Sequence, residues 1–192
     1  VSPEDRQLAH ALRMAIAAAV RSGTGDALAS LTIDGAVRPL LLDIVSGLPG
    51  PQPASYGLTL ARAGEAAPET LARVCGGVAR YGTAEQVDAA TALGRRSAGD
   101  DPGKAAPLVE SLLDGCRLGG RQVTDSAELE RFSRWFVDTI VSGSAAAPPP
   151  SEPVLRAAFT AAQRLGVKEA VGVALAVVGD TSRPPALRRD AA

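Results

Sequence analysis

The chain has 192 residues, with 20 basic and 21 acidic side chains and a formal net charge of −1. That length suits a single domain over residues 1–192, with a core large enough to need no staples. Balanced charge argues against a general nucleic-acid binder; a lone histidine, His10, excludes most histidine-based metal sites and argues against a Ser-His-Asp triad.

The first predicted helix opens at Ser2-Pro3-Glu4-Asp5: an N-cap, a proline in the first turn, and acids where the helix dipole favours them. Leu8, Leu12, Ala15, Ile16 and Ala19 share one face, and Arg21 and Gly23 close the segment. A short helical turn follows over Asp26–Leu31. Asp34–Ser46 carries a wide apolar stripe of Val37, Leu40, Leu41, Ile44 and Val45, with Pro39 forcing a late start or a kink. After the stiff Leu48–Pro53 turn, a helix covers Pro53–Ala63 with Tyr56, Leu60 and Ala63 inward.

Pro68 starts the next helix, with Leu71, Val74, Cys75 and Val78 inward. Gly76 and Gly77 lie on its other side, and a close approach of another backbone explains glycine there. Thr83 and Gln86 form a capping box ahead of Val87, Ala90 and Leu93. Asp101-Pro102 begins a helix with Ala105, Leu108, Leu112 and Cys116 inward, ended by Gly119-Gly120. Thr124 or Asp125 caps the following helix, whose stripe is Leu129, Phe132, Phe136 and Ile140. Residues 144–150 form a proline-rich linker. Ser151-Glu152-Pro153 opens a helix with Leu155, Ala158, Phe159 and Ala162 inward. Its partner, Lys168–Val178, turns Val171, Ala174, Leu175 and Val178 to one side, and Pro185–Arg189 starts a last helix.

No segment alternates with period 2, so the fold class is all-α. First members of helix pairs begin near Asp34, Pro68, Asp101 and Ser151, intervals of 34, 33 and 50 residues. Two helices per 30–50 residues is the signature of an α-solenoid. The expectation is about four hairpins behind an N-terminal capping helix, with a closed helical bundle as the alternative.

Val37-Arg38-Pro39-Leu40-Leu41-Leu42 and Pro185-Ala186-Leu187-Arg188-Arg189-Asp190-Ala191 resemble the two half-motifs of HEAT repeats. Leu8–Ile16 and Ala79-Arg80-Tyr81-Gly82-Thr83 resemble segments of the helical-repeat region of large planctomycete-type bacterial multidomain proteins. In that family a sugar-dehydrogenase-type β-propeller is followed by HEAT-like repeats and a c-type haem domain. This chain carries neither the CxxCH haem attachment motif nor a propeller pattern. The resemblance therefore implies a superhelical spacer or scaffold without cofactor, and an extracytoplasmic setting; without it, a cytoplasmic one is expected.

The N-terminus does not read as a signal peptide, because Glu4 and Asp5 stand where positive charge belongs. The chain opens on Val1 rather than Met, as a processed protein or an excised segment would. Its longest apolar run, Ala170–Val178, is about half of what a bilayer needs. Cys75 and Cys116 match no metal or redox spacing. On inward faces of successive first-member helices they are two small buried hydrophobes or a disulfide. His10 reads as a solvated or inter-helix residue. Trp135, off the edge of its stripe beside Arg131, either covers a neighbouring helix or the linker, or forms a partner-binding hot spot with that arginine.

The sequence thus predicts a non-catalytic scaffold or protein-interaction module, with second-member helices lining its binding face. Its partner is another protein or neighbouring domains of the same polypeptide, with no nucleic acid and no membrane insertion. A small-ligand or enzymatic domain with an inter-helix pocket is the alternative, and a DNA-binding helical repeat a third.

Overall fold

The computed structural model describes residues 3–22, 37–142, 150–168, 170–181 and 184–191. They form helices α1 (Pro3–Ser22), α2 (Arg38–Ser46), α3 (Pro51–Arg62), α4 (Pro68–Tyr81), α5 (Ala84–Ala98), α6 (Pro102–Leu118), α7 (Ala127–Val141), α8 (Glu152–Leu165), α9 (Ala170–Gly179) and α10 (Pro185–Ala191). A 3₁₀ turn, Val123–Asp125, precedes α7, and no strand occurs among the described residues. The fold is all-α. The helical turn expected over Asp26–Leu31 and linker residues 144–149 lie outside the described residues.

Most helix starts follow the local chemistry. Pro39 falls in the first turn of α2, where its missing N–H costs nothing, so the helix begins late, at Arg38. α3 starts at Pro51, two residues before the expected Pro53, because Gly50 takes φ 119° and turns the chain there. Thr83 caps α5 in a capping box: the Gln86 amide donates to Thr83 Oγ1 (3.4 Å), and the Thr83 amide donates to Gln86 Oε1 (2.9 Å). The Asp101 carboxylate accepts from the amides of Gly103 and Lys104 at the head of α6. α7 differs from expectation. Its cap is Ser126, because Thr124 and Asp125 are taken up in the 3₁₀ turn. Ser126 Oγ accepts from the Leu129 amide (3.1 Å) and donates to Asp88 Oδ1 (2.5 Å), which ties the start of α7 to α5.

Among the described residues, every substantial contact joins a helix to its neighbour in this order or to the helix two along. The pairs α2/α3, α4/α5, α6/α7 and α8/α9 each pack internally. First members also touch first members (α2 with α4, α4 with α6, α6 with α8), and second members touch second members (α3 with α5, α5 with α7, α7 with α9). α1 lies on α2 and α3. One apolar core runs from Val20 through Leu112, Leu113 and Phe136 to Ala162, and a small cluster of Leu155, Val177 and Leu187 joins α8, α9 and α10.

The α4–α6 contact is the most extensive. An added Cβ on Gly115 would strike the Gly76 carbonyl oxygen and come within 2.8 Å of Ala79 Cβ; one on Gly76 would sit 3.0 Å from the Ser111 oxygen. The backbones touch here, as expected of Gly76. Gly77 is different: a Cβ there would meet nothing within 4 Å.

Two predicted faces are corrected. Val171 and Leu175 of α9 are exposed, at 54% and 66%, and Val177 is buried instead. The segment is apolar all round, so its pattern specifies no face, and docking against α7, α8 and α10 chooses one. At α2, Val45 is buried as expected and Leu42 with it, while Leu40 and the preceding Val37 are exposed.

Candidate functional site

Trp135 is half-buried at the α5–α7 junction. It stacks on Phe132, one turn back, with ring centroids 5.8 Å apart and planes 12° from parallel. The guanidinium over its ring is not that of Arg131. It belongs to Arg95, in the last turn of α5, 3.8 Å from the ring centroid. Arg95 also donates to the Gly99 carbonyl and pairs with Asp100 (3.1 Å). Arg131 is turned away: it pairs with Glu128 and donates to the Ala127 carbonyl. Local charge decides this, because Glu128 stands three residues before Arg131 on the same helix face.

The cation and the ring therefore fasten two second-member helices together. Replacing Arg95 with Ala removes a contact worth about 0.5–1 kcal/mol at a partly exposed site. Denaturant midpoints should fall accordingly, and acrylamide should quench Trp135 fluorescence more strongly.

Cys75 and Cys116 are both buried and both free thiols, so the disulfide admitted by the sequence is not formed. Their directions differ. Cys75 Sγ donates to the Ala90 carbonyl of α5 (3.5 Å), whereas Cys116 lines a cavity of about 140 Å³ with Val87, Arg121, Asp125 and Ser126. Arg121 donates to the Gly82 carbonyl, linking the α6–α7 loop to the end of α4. Burial raises the Cys116 pKa, an effect the nearby Arg121 charge partly offsets.

Burial pushes the Cys75 thiol from its ordinary 9.0 to about 12. A thiol in the unfolded chain ionises near 9 while the folded one stays protonated. The neutral-thiol advantage is therefore complete below pH 9. It is lost as pH rises towards 12, at about 1.4 kcal/mol per pH unit. Chemical denaturation between pH 8 and about 11 should show a steeper loss of stability for the wild type than for Cys75→Ala.

The His10 side chain is exposed on α1. The arginine doublets occupy helix C-terminal turns, Arg95-Arg96 in α5 and Arg188-Arg189 in α10, where the helix dipole favours cations. Among the described residues, no group of three or more His, Cys, Asp or Glu side chains is placed to hold a metal ion. None of the described helices is long and apolar enough to cross a membrane.

Two of the open hollows lined by described residues are of appreciable size. The larger, about 520 Å³, has α4 as its floor (Ala72, Arg73, Gly76, Gly77, Arg80, Tyr81), the Ser46–Pro49 turn on one side and Ser111–Leu118 of α6 on the other. The smaller, about 420 Å³, lies between α3 and α5, near Gly64, Leu93 and Arg96. The larger groove runs over first members, while the smaller lies between second members, the helices expected to line a binding face. Gly77 contributes to the larger groove, since the side chain absent there leaves the floor low, whereas Gly76 and Gly115 face each other across the α4–α6 contact. No composition or periodicity signal marked this groove beyond the Gly76-Gly77 pair itself.

The chain matches no family model, no curated protein and no solved structure.

Proposed function

We propose that this chain is a non-catalytic helical-repeat scaffold or protein-interaction module, working within a larger multidomain protein or complex. In this reading α2/α3, α4/α5, α6/α7 and α8/α9 are four HEAT-like hairpins stacked as a solenoid, and α1 covers the first of them. The observation that carries it is the packing order: helices touch chain neighbours and the helix two along, first members with first members and second with second. Such stacks present extended surfaces to partners. Both hollows are open to solvent, which suits a polypeptide better than an enclosed small molecule.

The test is purification of a tagged chain from its native context without added metal or cofactor. The expected result is cooperative folding, an elongated particle by small-angle scattering, and a stoichiometric protein partner or an adjoining domain of the same polypeptide in contact with it. A compact particle would overturn the solenoid. Absence of any protein contact would overturn the interaction role.

A further inference from the structure

Gly77 is a glycine without a packing reason. It sits in the middle of α4, where glycine costs about 1 kcal/mol relative to alanine. Its neighbour Gly76 is explained by the α6 backbone, but nothing lies within 4 Å of where a Gly77 Cβ would be. The space it leaves open is outside the fold, on the floor of the 520 Å³ groove.

The charges around that floor are not equivalent. Arg73 is bound to Asp43 (2.6 Å), and Asp114 to Arg117 (3.3 Å). Arg80 has only the Tyr81 ring, 4.9 Å from its guanidinium carbon, and no carboxylate partner among the described residues. Leu48, Tyr81 and Leu118 add apolar surface, with Leu118 51% exposed. The groove thus offers bare helix backbone, an apolar edge and one uncommitted guanidinium.

We propose that this groove binds a short, extended, acidic segment of a partner protein, with a carboxylate on Arg80 and an apolar side chain over Gly77 against Leu118. The proposal rests on the reading of the chain as an interaction module and names what that module takes. Size favours an extended segment. A helix with its side chains is about 10–12 Å across, so a single turn fills roughly 400–600 Å³ and would use the whole groove. Charge favours a peptide over a nucleic acid. A phosphate backbone needs a track of cations, whereas among the described residues of this groove Arg80 alone lacks a carboxylate partner and Asp114 lines the same groove.

The test pans random dodecamer peptides displayed on phage against the full chain. A recovered peptide is then synthesised with a fluorescein label and titrated by anisotropy on the wild type, Gly77→Leu and Arg80→Glu. Gly77→Leu fills the groove at a position with free space and a better helix former, so it folds; thermal unfolding verifies this. The expected peptides pair Asp or Glu with a neighbouring large apolar residue. Affinity should fall at least tenfold on both variants, and exchanging the peptide acid for Lys should restore binding to Arg80→Glu. Peptides without an acid, or peptides that bind all three proteins alike, would overturn the groove while leaving an interaction module. So would a labelled oligonucleotide that binds with the same dependence on Arg80. Recovery of no peptide would overturn the groove, and with no co-purifying partner it would overturn the module as well.

Discussion

Replacing Gly115 with alanine should lower stability by about 2 kcal/mol or more, even though alanine is the better helix former by about 1 kcal/mol. The new methyl would be driven into the Gly76 carbonyl and against Ala79, and a carbonyl in the middle of a helix cannot rotate aside. α4 and α6 must then separate along the most extensive contact in the fold. For a chain of this size each kcal/mol moves the unfolding temperature by about 2–4 °C, so a fall of roughly 4–8 °C is expected by calorimetry. The same substitution at Gly77 should have the opposite sign, stabilising by about 0.5–1 kcal/mol, because no atom is there to meet it. If both variants shifted in the same direction, the backbone approach of α4 to α6 would be wrong.

Phe136→Ala should cost about 3–5 kcal/mol. Phe136 is fully buried in α7, the largest side chain in the core with no exposure. Its loss leaves a void that the surrounding helices can only partly close. Urea denaturation followed by the single tryptophan, Trp135, reads this directly, since the probe lies one residue away. Leu175→Ala is the matched control. At 66% exposure on α9 it should change stability by no more than about 0.5 kcal/mol, although a periodicity argument would place it in the core.

How legible each feature was in the sequence followed from how local its cause is. The starts of α2, α5 and α6 rest on Pro39, Thr83 with Gln86, and Asp101, each acting within a turn of its own position. The core stripe of α7 was visible because charged residues interrupt it with a helical period, and Leu129, Phe132 and Phe136 are indeed buried. In α9 the same periodicity chose the wrong face, placing Val171 and Leu175 inward, because a helix apolar on every side can bury any of them. The partner of Trp135 was hidden for another reason. Arg131 is four residues away in sequence, but Arg95 is forty, and only the packing of α5 on α7 brings its guanidinium over the ring. The groove was half legible. Two successive glycines in a helix signalled an approaching backbone, which is true of Gly76, and the same signal concealed that Gly77 faces open space.

The order in which the helices touch also bears on how fast the chain reaches its fold. Among the described residues, no substantial contact spans more than two helices along the chain. Each new contact therefore closes only a short loop, and little chain entropy is lost before the next one forms. Helical proteins built this way fold in microseconds to milliseconds. A stopped-flow refolding trace on Trp135 would report the docking of α5 against α7, where Arg95 comes over the ring.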